Sequence, residues 1–330
     1  MTFIITRPGK NALELLTPVM CAAGTFGYGE VYRDFINIDK IGAIVTHPIT
    51  YDSWNPAKGP RVIPLDSGVL LHTGLPNPGL NKALRRYRNL WIALPLPIIV
   101  HLVATSEEHV RKGAARLDEE EGVDAIELGL NDDIDWQDAE VLVKAAVSKT
   151  DKPVLVRLPL LDAYEIAQPV ADAGAGALVV SAPPRGTARH PQTGELINGR
   201  IYGPLVKSIV LHTVGQLAQR IKEVPIIGAG GIHGPHDARD YIEAGAVAVQ
   251  VDTVTWVRPK LLETISRDLG GWIVTRKSGA LPDEWHEGMG DTEAEELRKA
   301  GEGKKAESKK AEPVKKEDDE VGADTGTGKE

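Results

Sequence analysis

Four side chains that can move protons or hold charge sit where short apolar runs end. They are His47 in "IVTHPIT", His101 in "IIVHLVAT", Arg157 in "VLVRLP" and Asp132 just beyond "AIELGLND". A histidine titrates near working pH and suits general acid–base chemistry. An arginine stays charged and presents a planar donor fork, the group to steady negative charge on a ring edge or a carboxylate. Each also has a plainer use. The histidines can satisfy backbone carbonyls, Asp132 can cap its loop, and Arg157 can pair with Glu127 inside the same interior. The stretch "VDAIELGLNDDIDW" (123–136) raises the sharpest question, because it runs into an acidic loop without a cysteine, histidine, serine or lysine. Only Asn131, Asp132 and Asp133 are offered there, and only Asp132 is a candidate base.

A second group of residues is suited to anions. "VPIIGAGGIHGPHD" places Gly228, Gly230 and Gly231 at a strand end, and "VAVQVDT" ends in Asp252 and Thr253. Glycines let backbone N–H groups approach a phosphate, although the same cluster also makes a tight turn. Arg185, Arg189, His190 and Arg200 concentrate positive charge in one loop of an acidic chain, enough to grip a carboxylate or to face solvent. Cys21 reads as a small core side chain. His233, His236 and Asp237 lack zinc spacing, so no metal is assigned.

These residues need a frame, and the chain repeats one. Apolar, β-branched runs lie at 17–24, 41–50, 98–105, 125–132, 152–159, 177–183, 224–231 and 246–253, with amphipathic helical stretches between most of them. Continuous hydrophobicity marks strands buried on both faces. Eight such units predict a (β/α)8 TIM barrel, with an open doubly wound sheet as the alternative. In such barrels the site forms at the carboxyl ends of the strands, and phosphates bind after strands seven and eight. Two Pro/Gly-rich inserts, 51–78 and 184–203, fall on that same face.

The chain has 330 residues, 42% of them hydrophobic, a net charge of −9 and one cysteine. The acidic balance argues against nucleic acid. The lone cysteine fits a reducing cytoplasm, and no apolar run approaches a membrane span or a secretory signal. We divide the chain into a barrel domain, 1–285, and a charged low-complexity tail, 286–330, whose composition predicts disorder.

The order of "TPVMCAAGTFGYG" (17–29), "IGAIVTHPIT" (41–50), "SGVLLHTGLPNPG" (67–79), "ELINGRIYGPLVKSIVLHTVGQLA" (195–218) and "VPIIGAGGI" (224–232) resembles the dihydroorotate dehydrogenase family, over roughly residues 12–262. The resemblance implies an FMN flavoprotein, with the phosphate on Gly230, Gly231 and Thr253, Ala23 and Gly24 at the flavin edge, and Gly203 in the loop packing near it. His47 and Arg157 stand where the family has lysines beside the flavin. Elsewhere the pattern breaks. His72 and Thr73 replace the asparagine and serine before "GLPNPG", Gly129 replaces an asparagine, "NDDID" lacks the base, and "SAPPRG" replaces an asparagine motif. Asp252 stands where the family has glycine, and a carboxylate there would repel a phosphate unless turned outward.

A uracil-like ring needs amides that both donate and accept, and their loss at about 1–3 kcal/mol each lowers affinity by orders of magnitude. The expectation is therefore an FMN-dependent oxidoreductase acting on another small, anionic, cyclic substrate. Arg157 would steady reduced flavin, and His47, His101 or Asp132 would handle protons. His72, Asn131 and Arg185 would touch the substrate. Two alternatives stay open: a non-catalytic flavin- or phosphate-binding partner subunit, and a true dihydroorotate dehydrogenase with rewired residues. A homodimer and a separate electron-transfer subunit are the expected protein partners.

Overall fold

A computed structural model describes residues 2–277; the boundary expected near 285 and the tail beyond it lie outside the described residues. Eight parallel strands close into a barrel: Val19–Cys21, Ala43–Val45, Ile98–Val103, Ala125–Gly129, Val154–Leu158, Ala177–Val180, Ile226–Ala229 and Ala248–Val251. The eighth pairs with the first, Val249 beside Val19, so closure rather than the open sheet is what forms. The strands are short and buried throughout, as in Ile98–Val103, where all six residues are covered. Inside the barrel they meet one another, and outside they meet helices, which is why the sequence shows continuous apolar runs rather than alternation.

Helices Glu107–Asp118, Trp136–Val147, Ala163–Asp172, Lys207–Arg220 and Pro235–Glu243 occupy the expected stretches. The first two carry side-chain caps: the Ser106 hydroxyl accepts the N–H of His109, and the Asp135 carboxylate accepts that of Asp138. A further helix, Leu80–Ala93, follows strand two and buries Leu80, Ala83, Leu84, Tyr87 and Trp91 on one face. After strand one no α-helix forms before residue 38. Gly24, Gly27 and Gly29 have φ of 88°, 56° and 100°, which breaks any helical run there. Helices Val254–Val257 and Leu261–Lys277 close the described chain.

The two inserts make one structure. Hairpins Val62–Leu65/Gly68–Leu71 and Arg185–Arg189/Leu196–Tyr202 join through Gly68–Leu71 and Leu196–Tyr202 into a four-stranded antiparallel sheet. They cross at two glycines. A Cβ on Gly68 would lie 2.1 Å from the Tyr202 carbonyl, and one on Gly203 2.6 Å from that of Ser67. Gly203 is thus demanded by the crossing of the inserts. No described helix is long and apolar enough to cross a membrane.

Candidate functional site

The carboxyl ends of the strands and the insert sheet enclose a cavity of about 410 Å³. Its base is a polar network set into the barrel. Glu127, fully buried, accepts from His101 Nδ1 at 2.7 Å and Arg157 Nε at 2.8 Å on one oxygen, and from Gln250 Nε2 at 2.5 Å on the other. Arg157 also donates to the Ser181 carbonyl at 3.0 Å and to the Gln250 side-chain oxygen. Burial alone would raise the Glu127 pKa, but Arg157 and His101 outweigh it and hold the carboxyl at about 2. An ionised carboxylate only accepts, so His101 carries a proton on Nδ1 and turns Nε2 away from Glu127. Among the described residues Nε2 has no protein partner, and His101 lines the cavity.

The emptied strand end now has a reason. A Cβ built on Gly129 would lie 2.4 Å from His101 Nε2. The imidazole of strand three fills the volume a side chain at 129 would take. Gln250, which completes the Glu127 network, carried no sequence signal; only barrel closure brings strand eight beside strand five's arginine.

Of the other expected residues, Ala23, His72, Asn131, Arg185 and Gly230 also line the cavity. The Asn131 amide donates to the Ala104 carbonyl at 2.9 Å, so one of its two N–H donors is committed. His47 is displaced from the expected role: it lies behind the wall, its Nε2 bonded to the Pro76 carbonyl at 3.2 Å and its ring edge-on to Tyr28. Burial lowers its pKa, which makes it a neutral wall residue beside Gly24 rather than a proton carrier. Asp132 is likewise unsuited to act as a base. Its carboxylate bonds Arg185 Nε at 2.6 Å and Arg200 Nη1 at 2.7 Å. Burial opposes ionisation, but the two guanidiniums outweigh it and hold the group below the usual carboxylate range. Asp132 ties the strand-four loop to the insert sheet.

The glycine cluster divides by function. Gly228 makes room for the Tyr241 ring, which a Cβ would meet at 2.3 Å, and Gly231 for the backbone of Lys207 at 2.6 Å. Gly230, with φ of 138°, is the one that faces the cavity. Beside it Asp252, only 7% exposed, also faces the cavity. Its Oδ1 accepts the N–H of Thr253 at 2.6 Å and the Thr253 hydroxyl at 3.2 Å, which occupies both donors that Thr253 would offer a phosphate. Burial raises the Asp252 pKa, partly offset by Thr253. Burial, with the Asp252 charge nearby, also pushes the Tyr202 phenol up to about 12. Cys21 is fully buried and burial pushes its thiol to about 12, as a core side chain requires. The Asp237 carboxylate accepts the His233 N–H at 2.8 Å and pairs with Lys207 at 2.5 Å.

A closed (β/α)8 barrel with a charged cavity at its carboxyl face, roofed by its own inserts, defines a barrel of the enzyme type. The family model for dihydroorotate dehydrogenase matches residues 10–272, and the chain belongs to that family. It is 33% identical over 286 residues to the dihydroorotate dehydrogenase B (NAD(+)) catalytic subunit of Desulforamulus reducens, covering 82% of this chain and 93% of that one. The catalytic subunit of the same name from Pelobacter propionicus is also 33% identical, over 79% of this chain and 91% of its own. The family comprises flavin oxidoreductases of pyrimidine metabolism whose cofactor is FMN.

The cavity suits a flavin ring. Its walls include Ala22, Ala23 and Gly129, and its base carries the fixed cation of Arg157. The far end, where Asp252 holds the Thr253 donors, is the one place where the residues do not match a phosphate.

Proposed function

We propose that this chain is the substrate-oxidising subunit of an FMN-dependent oxidoreductase whose substrate is a small cyclic anion other than dihydroorotate. The observation that carries this reading is the buried His101–Glu127–Arg157–Gln250 network, which leaves one imidazole nitrogen without a protein partner among the described residues, on a histidine that lines the cavity. FMN would supply the acceptor for a hydride equivalent; Ala23, Gly230 and Arg157 would hold it. His101 is the proton carrier, with Nδ1 fixed by Glu127 and Nε2 free to take a proton from the substrate. Arg157 supplies a permanent positive charge at the cavity base.

The outer cavity favours a carboxylate. His72, Arg185 and Arg200 line it, and the two arginines share one countercharge, Asp132. An orotate-like ring finds fewer amide partners than the family pattern gives: Gly129 has no side chain, and one of the two Asn131 N–H donors is taken by Ala104, which leaves the other and the amide of Asn198. The dihydroorotate dehydrogenase names of the relatives keep dihydroorotate as the second reading. Their description as catalytic subunits supports a separate electron-transfer subunit for this chain as well.

The test is anaerobic bleaching of the FMN-loaded protein with a panel of cyclic carboxylates, dihydroorotate included. Bleaching by another member and not by dihydroorotate is expected, with His101→Gln slowing it by about 10²–10⁴-fold. Rapid bleaching by dihydroorotate would establish the second reading. No bleaching by any member, in protein that retains flavin, would refute the enzyme reading.

A further inference from the structure

The end of the cavity formed by strands seven and eight is where barrels of this kind take a ligand's phosphate. Here it already contains a carboxyl group. Asp252 faces the cavity between Gly230 and Tyr202, and its carboxylate is bonded only to its neighbour Thr253 among the described residues. The Asp252 carbonyl is equally fixed, accepting from the Thr255 N–H at 3.0 Å and its hydroxyl at 2.7 Å. The backbone cannot swing aside without losing those bonds. Arg157 is the positive group whose field reaches Asp252, yet it forms no ion pair with it among the described residues. Arg157 is already committed to Glu127, Gln250 and Ser181. A buried carboxylate without a paired cation is costly to keep, and such groups concentrate in functional cavities.

We propose that Asp252 is a specificity residue at the terminal end of the flavin site: it withholds the Thr253 N–H and hydroxyl from a phosphate dianion. The chain then selects its cofactor by ring and ribityl contacts and discriminates little between FMN and riboflavin. The proposal rests on the flavin reading above. It follows from two features of the geometry. The two Thr253 donors are occupied at 2.6 and 3.2 Å, which leaves a phosphate only the Gly230 and Gly231 backbone there, and the occupant is a carboxyl group that repels a phosphate when ionised. For FMN to use Thr253, the carboxylate must rotate away or be neutralised.

Flavin fluorescence titrations test this without any turnover. FMN and riboflavin are titrated separately into the full chain and into the Asp252→Gly and Asp252→Asn variants, with thermal unfolding of each followed by circular dichroism. In the parent protein the two ligands should bind within about threefold of each other, since charge repulsion offsets the phosphate's gain. Asp252→Gly frees both donors and should tighten FMN by about ten- to a hundredfold, leaving riboflavin within about twofold. Asp252→Asn keeps an acceptor on Thr253 but removes the charge, so it should fall between the two. It also serves where the glycine variant does not fold. FMN binding a hundredfold tighter than riboflavin in the parent protein would overturn the proposal. So would parallel changes for both ligands in the variants. Riboflavin binding with no FMN response to either substitution defeats the Asp252 assignment alone. Failure of both flavins to bind any folded variant defeats the flavin reading, and the proposal with it.

Discussion

Replacing Gly129 by alanine adds one carbon at the point where strand four meets the histidine of strand three. The new Cβ would lie 2.4 Å from His101 Nε2 and 2.8 Å from Cε1, against ordinary contact beginning near 3.4 Å. The ring must therefore retreat by about 1 Å. It cannot do so freely, because Nδ1 is held 2.7 Å from the fully buried Glu127. Losing a hydrogen bond to a charged group costs about 1.5–3 kcal/mol, and overpacking a core adds about 1–3 kcal/mol. Gly129→Ala should thus destabilise the barrel by about 3–5 kcal/mol, read as a lower urea midpoint at unchanged slope. The decisive comparison is the same substitution in a His101→Ala background, where the new methyl meets empty space. There the cost should fall to about 1 kcal/mol, a coupling of several kcal/mol. Equal costs in both backgrounds would refute the argument that Gly129 exists to admit His101, and with it the reason given for the empty strand end.

Three other outcomes follow from the same geometry. Glu127 has a folded pKa near 2, below its ordinary 4.5, so its contribution is fully present above about pH 4.5 and is lost as pH falls toward 2. Glu127→Gln should accordingly be less stable than the parent by about 3–5 kcal/mol at pH 7, with the gap narrowing between pH 4.5 and 2 in denaturant titrations. Arg157→Ala leaves that carboxylate without its cation and should cost about as much, whereas Arg157→Ala combined with Glu127→Ala should recover stability, measured by thermal unfolding. Asp132→Asn should raise KM for an anionic substrate or increase hydrogen exchange of residues 185–202 while kcat stays within about twofold, because Asp132 clamps Arg185 and Arg200 rather than moving protons. A large fall in kcat with a shifted pH profile would reinstate it as the base.

The sequence by itself determined eight parallel strands alternating with helices and favoured a barrel, while the pairing of strand eight with strand one decided closure. Eight continuous apolar runs need helices packed over a parallel sheet to be buried on both faces. It also placed Arg157 and His101 at strand ends and offered the Arg157–Glu127 pair as one of two uses of the arginine, because both side chains point into the barrel. What it left undecided depended on contacts between residues far apart in the chain. Gln250 reaches Glu127 across 123 positions, and Asp132 reaches Arg200 across 68. Gly203, Gly228 and Gly231 read as cofactor contacts in sequence, yet each is required by a neighbouring backbone or ring that only packing brings close. His47 and His101 have similar local sequences. Tertiary structure alone separates them, since one is bonded to the Pro76 carbonyl and the other lines the cavity and is held by a buried carboxylate. Local chemistry sets what a residue can do, and closure of the barrel sets which partners it does it with.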